Sequence, residues 1–120
     1  MLGRALDQAL GDRSGISRFG YAYAPLDESL SRAVVDLSGR PWPEIGIDFS
    51  RERVGEVATE NIVHFMRSLA VEARMSLHHD LIRGDNDHHK AESAFKALAL
   101  ALRAAVSEAG DGVPSTKGTL

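Results

Sequence analysis

Cysteine is absent from all 120 residues. Its absence excludes disulfides and zinc–thiolate sites, and leaves histidine, aspartate and glutamate as the strong metal ligands. No long apolar run occurs either. The longest, Ala97 to Leu102, is far short of the roughly 20 residues that a membrane-spanning helix needs. At the N-terminus Arg4, Asp7 and Gln8 interrupt what would have to be the continuous apolar core of a signal peptide. Low-complexity tracts are missing, and so is a strong excess of one charge. A net charge of -3 with a pI near 5.9 argues against nucleic-acid or anionic-membrane partners, while leaving room for local basic sites. These absences describe a soluble, cytoplasmic protein.

What is present fits a folded domain. Hydrophobic residues at 43% and charged residues at 26% are ordinary globular values and exclude wholesale disorder. A chain of this length forms one domain and buries roughly two thirds of its unfolded surface.

Leu2, Ala5, Leu6, Ala9 and Leu10 form a helical stripe that ends at Gly11-Asp12. So short a helix must dock on something. Two strands are expected next, around Gly20–Ala24 and Leu30–Leu37, separated by the turn Pro25-Leu26-Asp27-Glu28. After the turn Ser38-Gly39-Arg40-Pro41, the alternation in Glu44–Phe49 reads as a third strand. Antiparallel pairing of these three would leave one sheet face to cover. A helix from about Gly55 to Ala73, with the stripe Ala58, Ile62, Phe65, Leu69 and Ala73, supplies the cover. Met75, Leu77 and Leu81 alternate with polar residues in a fourth strand, on which His78 and His79 face opposite sides. From Lys90 the apolar positions Ala91, Ala94, Phe95, Leu98, Ala99, Leu102 and Ala105 recur at helical steps, with Asp87 as the expected N-cap. The Gly- and Pro-containing tail over 110–120 reads as a loop or extended arm. The sum is an α+β, two-layer sandwich: a four-stranded antiparallel or mixed sheet with helices on one face, in the order βββαβα after the first helix. The other face is available to a neighbour.

The chemistry is concentrated in Asp85-Asn86-Asp87-His88-His89-Lys90-Ala91-Glu92. His88 and His89 are adjacent on a helix start, about 100° apart around its axis, and Glu92 lies one turn on beside both. One metal ion can take one imidazole with the carboxylate, leaving the other imidazole for a second ion or another subunit. The plainer alternative is a polar first turn with acidic residues near the positive helix end. His64 falls on the polar side of its helix with Glu60, Asn61, Arg67 and Ser68, which makes it either solvated or a further ligand. Nitrogen and oxygen donors of this kind suit manganese or iron, and four ligands divided between two ions would leave each ion to be completed by a partner. Gly112-Val113-Pro114-Ser115-Thr116-Lys117-Gly118 has the hydroxyls, lysine and glycines to wrap a phosphate, and Arg18 and Arg40 sit where a guanidinium can clamp an anion. A frayed tail and solvated arginines are the alternatives.

Five segments together carry a family resemblance: Gly15-Ile16-Ser17-Arg18-Phe19-Gly20, Pro25-Leu26-Asp27-Glu28, Val35-Asp36-Leu37-Ser38-Gly39-Arg40-Pro41, Asn86-Asp87-His88-His89-Lys90-Ala91-Glu92 and Gly112-Val113-Pro114-Ser115-Thr116-Lys117-Gly118. In order and spacing the chain resembles imidazoleglycerol-phosphate dehydratase. That family is built from two similar halves, and the resemblance implies that residues 1–12 correspond to the last helix of the first half. Residues 13–109 would then be the second βββαβα half-domain, and 110–120 its phosphate-binding arm. It implies a manganese-dependent lyase of histidine biosynthesis, assembled from 24 subunits, that converts imidazole glycerol phosphate to imidazole acetol phosphate. Metal ligation falls on His64, His88, His89 and Glu92, with two Mn2+ ions per site. Phosphate contacts fall on Arg18, Arg40, Ser115 and Lys117, and Glu92 is both a candidate ligand and a candidate proton carrier. A single copy should hold incomplete metal sites, so the fragment is expected to be inactive or to need a partner copy. The rival expectation, from another class, is a non-catalytic metal-binding or oligomerisation module.

Overall fold

The computed structural model describes residues 1–109. The expected arm over 110–120, with Ser115 and Lys117, lies outside the described residues. The elements run α1 (Leu2–Leu10), β1 (Phe19–Leu26), β2 (Ser29–Asp36), β3 (Trp42–Gly46), β4 (Arg53–Val54), β5 (Val57–Ala58), α2 (Thr59–Ala73), β6 (Ser76–Arg83) and α3 (Asp87–Ala105).

The main sheet has the order β1-β2-β6-β3. β1 pairs antiparallel with β2, and β2 antiparallel with β6, whereas β3 runs parallel to β6. The fold is thus α+β with a mixed four-stranded sheet, as its sequence pattern indicates. Of the antiparallel pairing expected for the first three strands, β1 with β2 occurs, but β3 does not join β2, because β6 inserts between them. A strand followed by a helix and a second strand forms a crossover unit, whose two strands lie parallel. β3, α2 and β6 make that unit. As an edge strand, β3 tolerates Pro43, which has no N–H to give the ladder.

α2 begins at Thr59 rather than near Gly55. Residues 53–58 instead form the small hairpin β4–β5, turned by Gly55 at φ 61°. A left-handed glycine in a two-residue loop favours a hairpin over a first helical turn.

The core lies between the sheet and its two long helices. On the sheet it uses Ala24, Ala33, Val35 and Leu77, flanked by Leu37 and Met75. α2 contributes Met66, Leu69, Ala70 and Ala73, and α3 contributes Ala94, Ala97, Leu98, Ala101 and Ala105. The alanine-rich face lets α3 approach β1 so closely that a methyl group added at Gly20 would lie 2.1 Å from the Ala101 carbonyl oxygen. The inward stripe of α2 departs from the one expected in that Met66 is buried while Phe65 is 39% exposed, and Ala58 falls in β5 rather than in the helix. Phe65 turns to meet Phe95 of α3, with ring centroids 5.9 Å apart. On the opposite sheet face Tyr21, Tyr23 and Val34 are exposed.

α1 packs on α2. The contact is tight, for a methyl added at Gly3 would fall 2.7 Å from Glu72 Cβ. Among the described residues no helix is long and apolar enough to cross a membrane.

Candidate metal centre

The first turn of α3 has two sides with different work. Asn86, not Asp87, is the N-cap, its side-chain oxygen accepting from the His89 backbone N–H at 3.2 Å. Asp87 points inward and is 4% exposed. Its carboxylate accepts from the backbone N–H groups of Ser50 at 3.0 Å and Arg51 at 2.7 Å. Lys90 is also 4% exposed, lies 3.5 Å from Asp87 Oδ1, and donates to the Asp48 carbonyl at 3.0 Å. Burial opposes ionisation of Asp87, but the two backbone donors and Lys90 outweigh it and hold the carboxyl below its ordinary value. With positions 87 and 90 inward, helical geometry puts His88, His89 and Glu92 toward solvent.

His88 Nε2 lies 3.2 Å from Glu92 Oε2, across one helical turn, and both side chains are exposed. An imidazole and a carboxylate so placed form a two-point chelate for a hard or borderline divalent cation.

His89 turns to the β1–β2 corner. Its Nδ1 is 2.5 Å from Glu28 Oε1, and its Nε2 is 3.6 Å from Asp27 Oδ2. The other oxygen of Glu28 accepts from the Ser29 hydroxyl at 2.6 Å and from the backbone N–H groups of Asp85 and Asn86, each at 3.0 Å. The Ser29 hydroxyl, then Asp85, His89 and Asn86, hold the Glu28 carboxyl far below the usual carboxylate range. Glu28 in turn raises the His89 imidazole above its ordinary value. An ionised carboxylate only accepts, so Nδ1 of His89 carries the donated hydrogen and Nε2 of the neutral ring is bare. A carboxylate on one ring nitrogen and a lone pair outward on the other is the arrangement of metal-ligating histidines.

His64 is exposed on α2, with its Nε2 3.4 Å from the Ser68 hydroxyl. Among the described residues no three His, Asp or Glu side chains gather into a group able to hold an ion. His64, His88, His89 and Glu92 are therefore two-donor or one-donor fragments in a single chain. The chemistry of the donors fits a divalent ion, and their number does not complete its shell.

The two arginines lie elsewhere. Arg18 is 8% exposed, at φ 75°, and donates from Nε to Asp36 at 2.6 Å and from a terminal nitrogen at 3.2 Å. Its guanidinium stacks 4.5 Å from the centroid of Phe19. The Asp36 hydrogen bond raises its pKa, burial notwithstanding. Arg40 is exposed in the turn after β2, where its backbone N–H donates to Ser38 Oγ at 3.1 Å. Because Phe19 pairs with Asp36 and Leu26 with Ser29, these arginines are at the opposite end of the sheet from Asp27, Glu28 and His89. At about 3.3 Å per residue, the intervening strand spans roughly 26 Å.

Asp27 and Glu28 are the site residues to which the sequence alone gave no role. Their signal was the turn Pro25-Leu26-Asp27-Glu28, whose carboxylates gain meaning only when the fold brings residue 89 beside them.

The features define a class: a two-layer α+β module whose helix start displays imidazole–carboxylate pairs beside a carboxylate-bearing β-turn. The family model for imidazoleglycerol-phosphate dehydratase matches residues 1–102. The chain belongs to that family. It is 57% identical over 120 residues to the imidazoleglycerol-phosphate dehydratase of Candida glabrata, covering 99% of this chain and 57% of that protein. It is 58% identical to that of Phytophthora nicotianae, covering 99% of this chain and 26% of the relative. Among solved structures, imidazoleglycerol-phosphate dehydratase from Staphylococcus aureus superposes with a TM-score of 0.87 at 41% identity, over 90% of this chain and 63% of that one. The enzyme from Pyrococcus furiosus, in complex with (S)-C348, gives 0.86 at 36% identity, over 99% and 65%. The chain thus spans about half the length of most of the curated relatives it matches, and about a quarter of the Phytophthora protein.

Proposed function

We propose that this chain supplies part of a manganese-dependent dehydratase acting in the cytoplasm in histidine biosynthesis, removing water from imidazole glycerol phosphate to give imidazole acetol phosphate. The observation that carries the proposal is the pair of imidazole–carboxylate arrangements on one helix start, His88 with Glu92 and His89 with Glu28, in a chain of this family.

His88, His89 and Glu92 would hold the ions, with His64 as a further donor. A divalent cation beside the substrate ring lowers the cost of removing a proton from the neighbouring carbon. Glu92 is exposed enough to reach a substrate and, when not serving as a ligand, to carry that proton. Arg40, together with Ser115 and Lys117 of the arm, would take the phosphate. Arg18, whose guanidinium also holds Asp36, would add positive charge at the same end of the sheet.

Position decides how these groups are combined. Imidazole glycerol phosphate has a three-carbon chain between ring and phosphate, which cannot bridge an end-to-end separation of roughly 26 Å. We read a working site as joining the imidazole ligands of this module to phosphate donors from outside it, either another copy or the part of its relatives that this chain does not span. For copies of this chain alone, homo-oligomeric assembly is the expected route by which a neighbour completes each metal shell.

Size-exclusion chromatography with light scattering, with and without Mn2+, and metal content assayed in each peak, tests the reading. The expected result is Mn2+-dependent assembly with retained metal, and turnover of imidazole glycerol phosphate by the assembled form. A metal-free monomer without turnover would end it. Retained metal and assembly without turnover, with Arg40→Ala leaving both unchanged, would favour the non-catalytic module.

A further inference from the structure

We infer that Glu28 is the positioning residue that fixes His89 in one tautomer, with Nδ1 protonated and Nε2, on the side of Asp27 at 3.6 Å, bare as the ligating nitrogen. The inference rests on the proposed metal role of His89, but concerns a group to which that role has not been given.

The geometry is directional. Glu28 sits at the β1–β2 corner, and its two oxygens have separate tasks. Oε2 collects three donors: the Ser29 hydroxyl and the backbone N–H groups of Asp85 and Asn86. Oε1 faces His89 Nδ1 alone. The first set ties the corner to the two residues that lead into α3, one of which is its N-cap. The second then sets the ring on that frame. A carboxylate cannot donate, so the ring must give Nδ1–H. Rotation of the ring about its own axis would place a carbon against Oε1 and lose the hydrogen bond. Glu28 thereby selects both the ring orientation and the nitrogen that carries the lone pair. The preceding histidine shows the contrast: His88 is paired through Nε2 with Glu92 on its own helix.

The same directionality supplies a clean test. In Glu28→Gln the amide oxygen is required by the three donors, so the amide NH2 falls at His89 Nδ1. A donor there makes Nδ1 the acceptor, and the proton moves to Nε2. The substitution keeps the shape and the corner-to-helix hydrogen bonds while reversing the tautomer.

The experiment records nitrogen-15 chemical shifts of the His89 ring in the metal-free chain on the alkaline side of its titration, where the imidazole is neutral. Wild type should show a protonated Nδ1 and bare Nε2, and Glu28→Gln the reverse. Titration with Mn2+ should then show affinity weakened roughly 10- to 100-fold in the variant. An Nε2-protonated ring in wild type overturns the inference, and needs no variant to be folded. So does an unchanged tautomer in a folded Glu28→Gln protein, or equal Mn2+ affinity of the two. If wild type shows the bare Nε2, the variant reverses it and neither protein binds Mn2+, the positioning stands and the metal reading of the preceding subsection fails.

Discussion

Asp87 and Lys90 form an ion pair at 3.5 Å on the inward side of the helical turn whose outward side carries His88 and His89. The pair is buried and carries other bonds: Asp87 holds the backbone of residues 50 and 51, and Lys90 the carbonyl of 48. Thr59, at the start of α2, holds the same segment from its far side by donating to the carbonyls of Arg51 and Glu52. Asp87→Ala leaves a buried ammonium and two backbone donors without their carboxylate. Breaking a buried pair from one side costs about 3–5 kcal/mol. Urea denaturation should show a loss of about that size, with faster amide exchange at Ser50 and Arg51. Asp87→Asn, which keeps an acceptor oxygen but no charge, should fall between the two.

A second buried pair is made of hydroxyls. Ser93 Oγ donates to the Lys90 carbonyl at 3.0 Å, so the 2.8 Å contact between Ser31 and Ser93 must be donated by Ser31. This chain links β2 to α3 through the core. Ser93→Ala leaves the Ser31 hydroxyl buried without an acceptor and should cost about 1–3 kcal/mol. The double variant Ser31→Ala, Ser93→Ala removes both partners and should cost less than the sum of the single changes. A double-mutant cycle in chemical denaturation measures the difference. Strict additivity would show that the two hydroxyls do not depend on each other.

The parts of this molecule that were legible in its sequence are those set by local period. The Leu2–Leu10 helix, the polar placement of His64 and the opposed faces of His78 and His79 follow from spacing alone. Where two neighbours satisfy a rule equally, tertiary contacts decided. Asp87 and Asn86 are both good caps, and the amides of residues 50 and 51 drew Asp87 inward. Phe65 and Met66 both continue the stripe of α2, and the ring of Phe95 offered Phe65 a surface contact instead of the core. Strand order was illegible because β3 and β6 pair only after α2 has crossed between them. At the candidate metal centre, the His88, His89 and Glu92 group was visible as a local pattern. Glu28 lies 61 residues from His89 and enters only through the fold.

Arg13 closes the C-terminal end of α2. It is 2% exposed, donates to the carbonyls of Ala73 at 2.7 Å and Arg74 at 3.3 Å, and pairs with Asp7 of α1 at 2.6 Å. A cation at helix carbonyls left without intrahelical partners answers both the hydrogen-bond deficit and the helix dipole. Arg13→Ala should destabilise the fold by about 3 kcal/mol. Arg13→Lys should recover only part, since one ammonium cannot repeat the spread of the guanidinium. Calorimetric unfolding of the three proteins gives the order. An alanine variant as stable as wild type would show that α1 is held to α2 by apolar packing alone.

His79 gives a pH dependence whose sign is fixed. The ring is fully buried, and neither nitrogen has a hydrogen-bond partner among the described residues. Burial outweighs the opposing pull of Asp80 and the Ala94 backbone, and pushes the imidazole below its ordinary value. The folded state thus keeps the ring neutral where the unfolded chain, titrating near about 6.5, has begun to take a proton. Stability should fall as pH drops through that value and continue to fall until the folded-state pKa is reached. His89 works in the opposite sense: its raised pKa adds stability below about 6.5 that is lost as pH rises through the raised value. The two are separated by comparing wild type with His79→Leu, which removes the buried nitrogens and leaves His89 in place. Thermal unfolding of the metal-free proteins at several pH values between about 5 and 8 should show a shallower acid-side loss in the variant. Parallel curves for the two proteins would mean that the His79 ring takes up protons as readily in the folded chain as in the unfolded one.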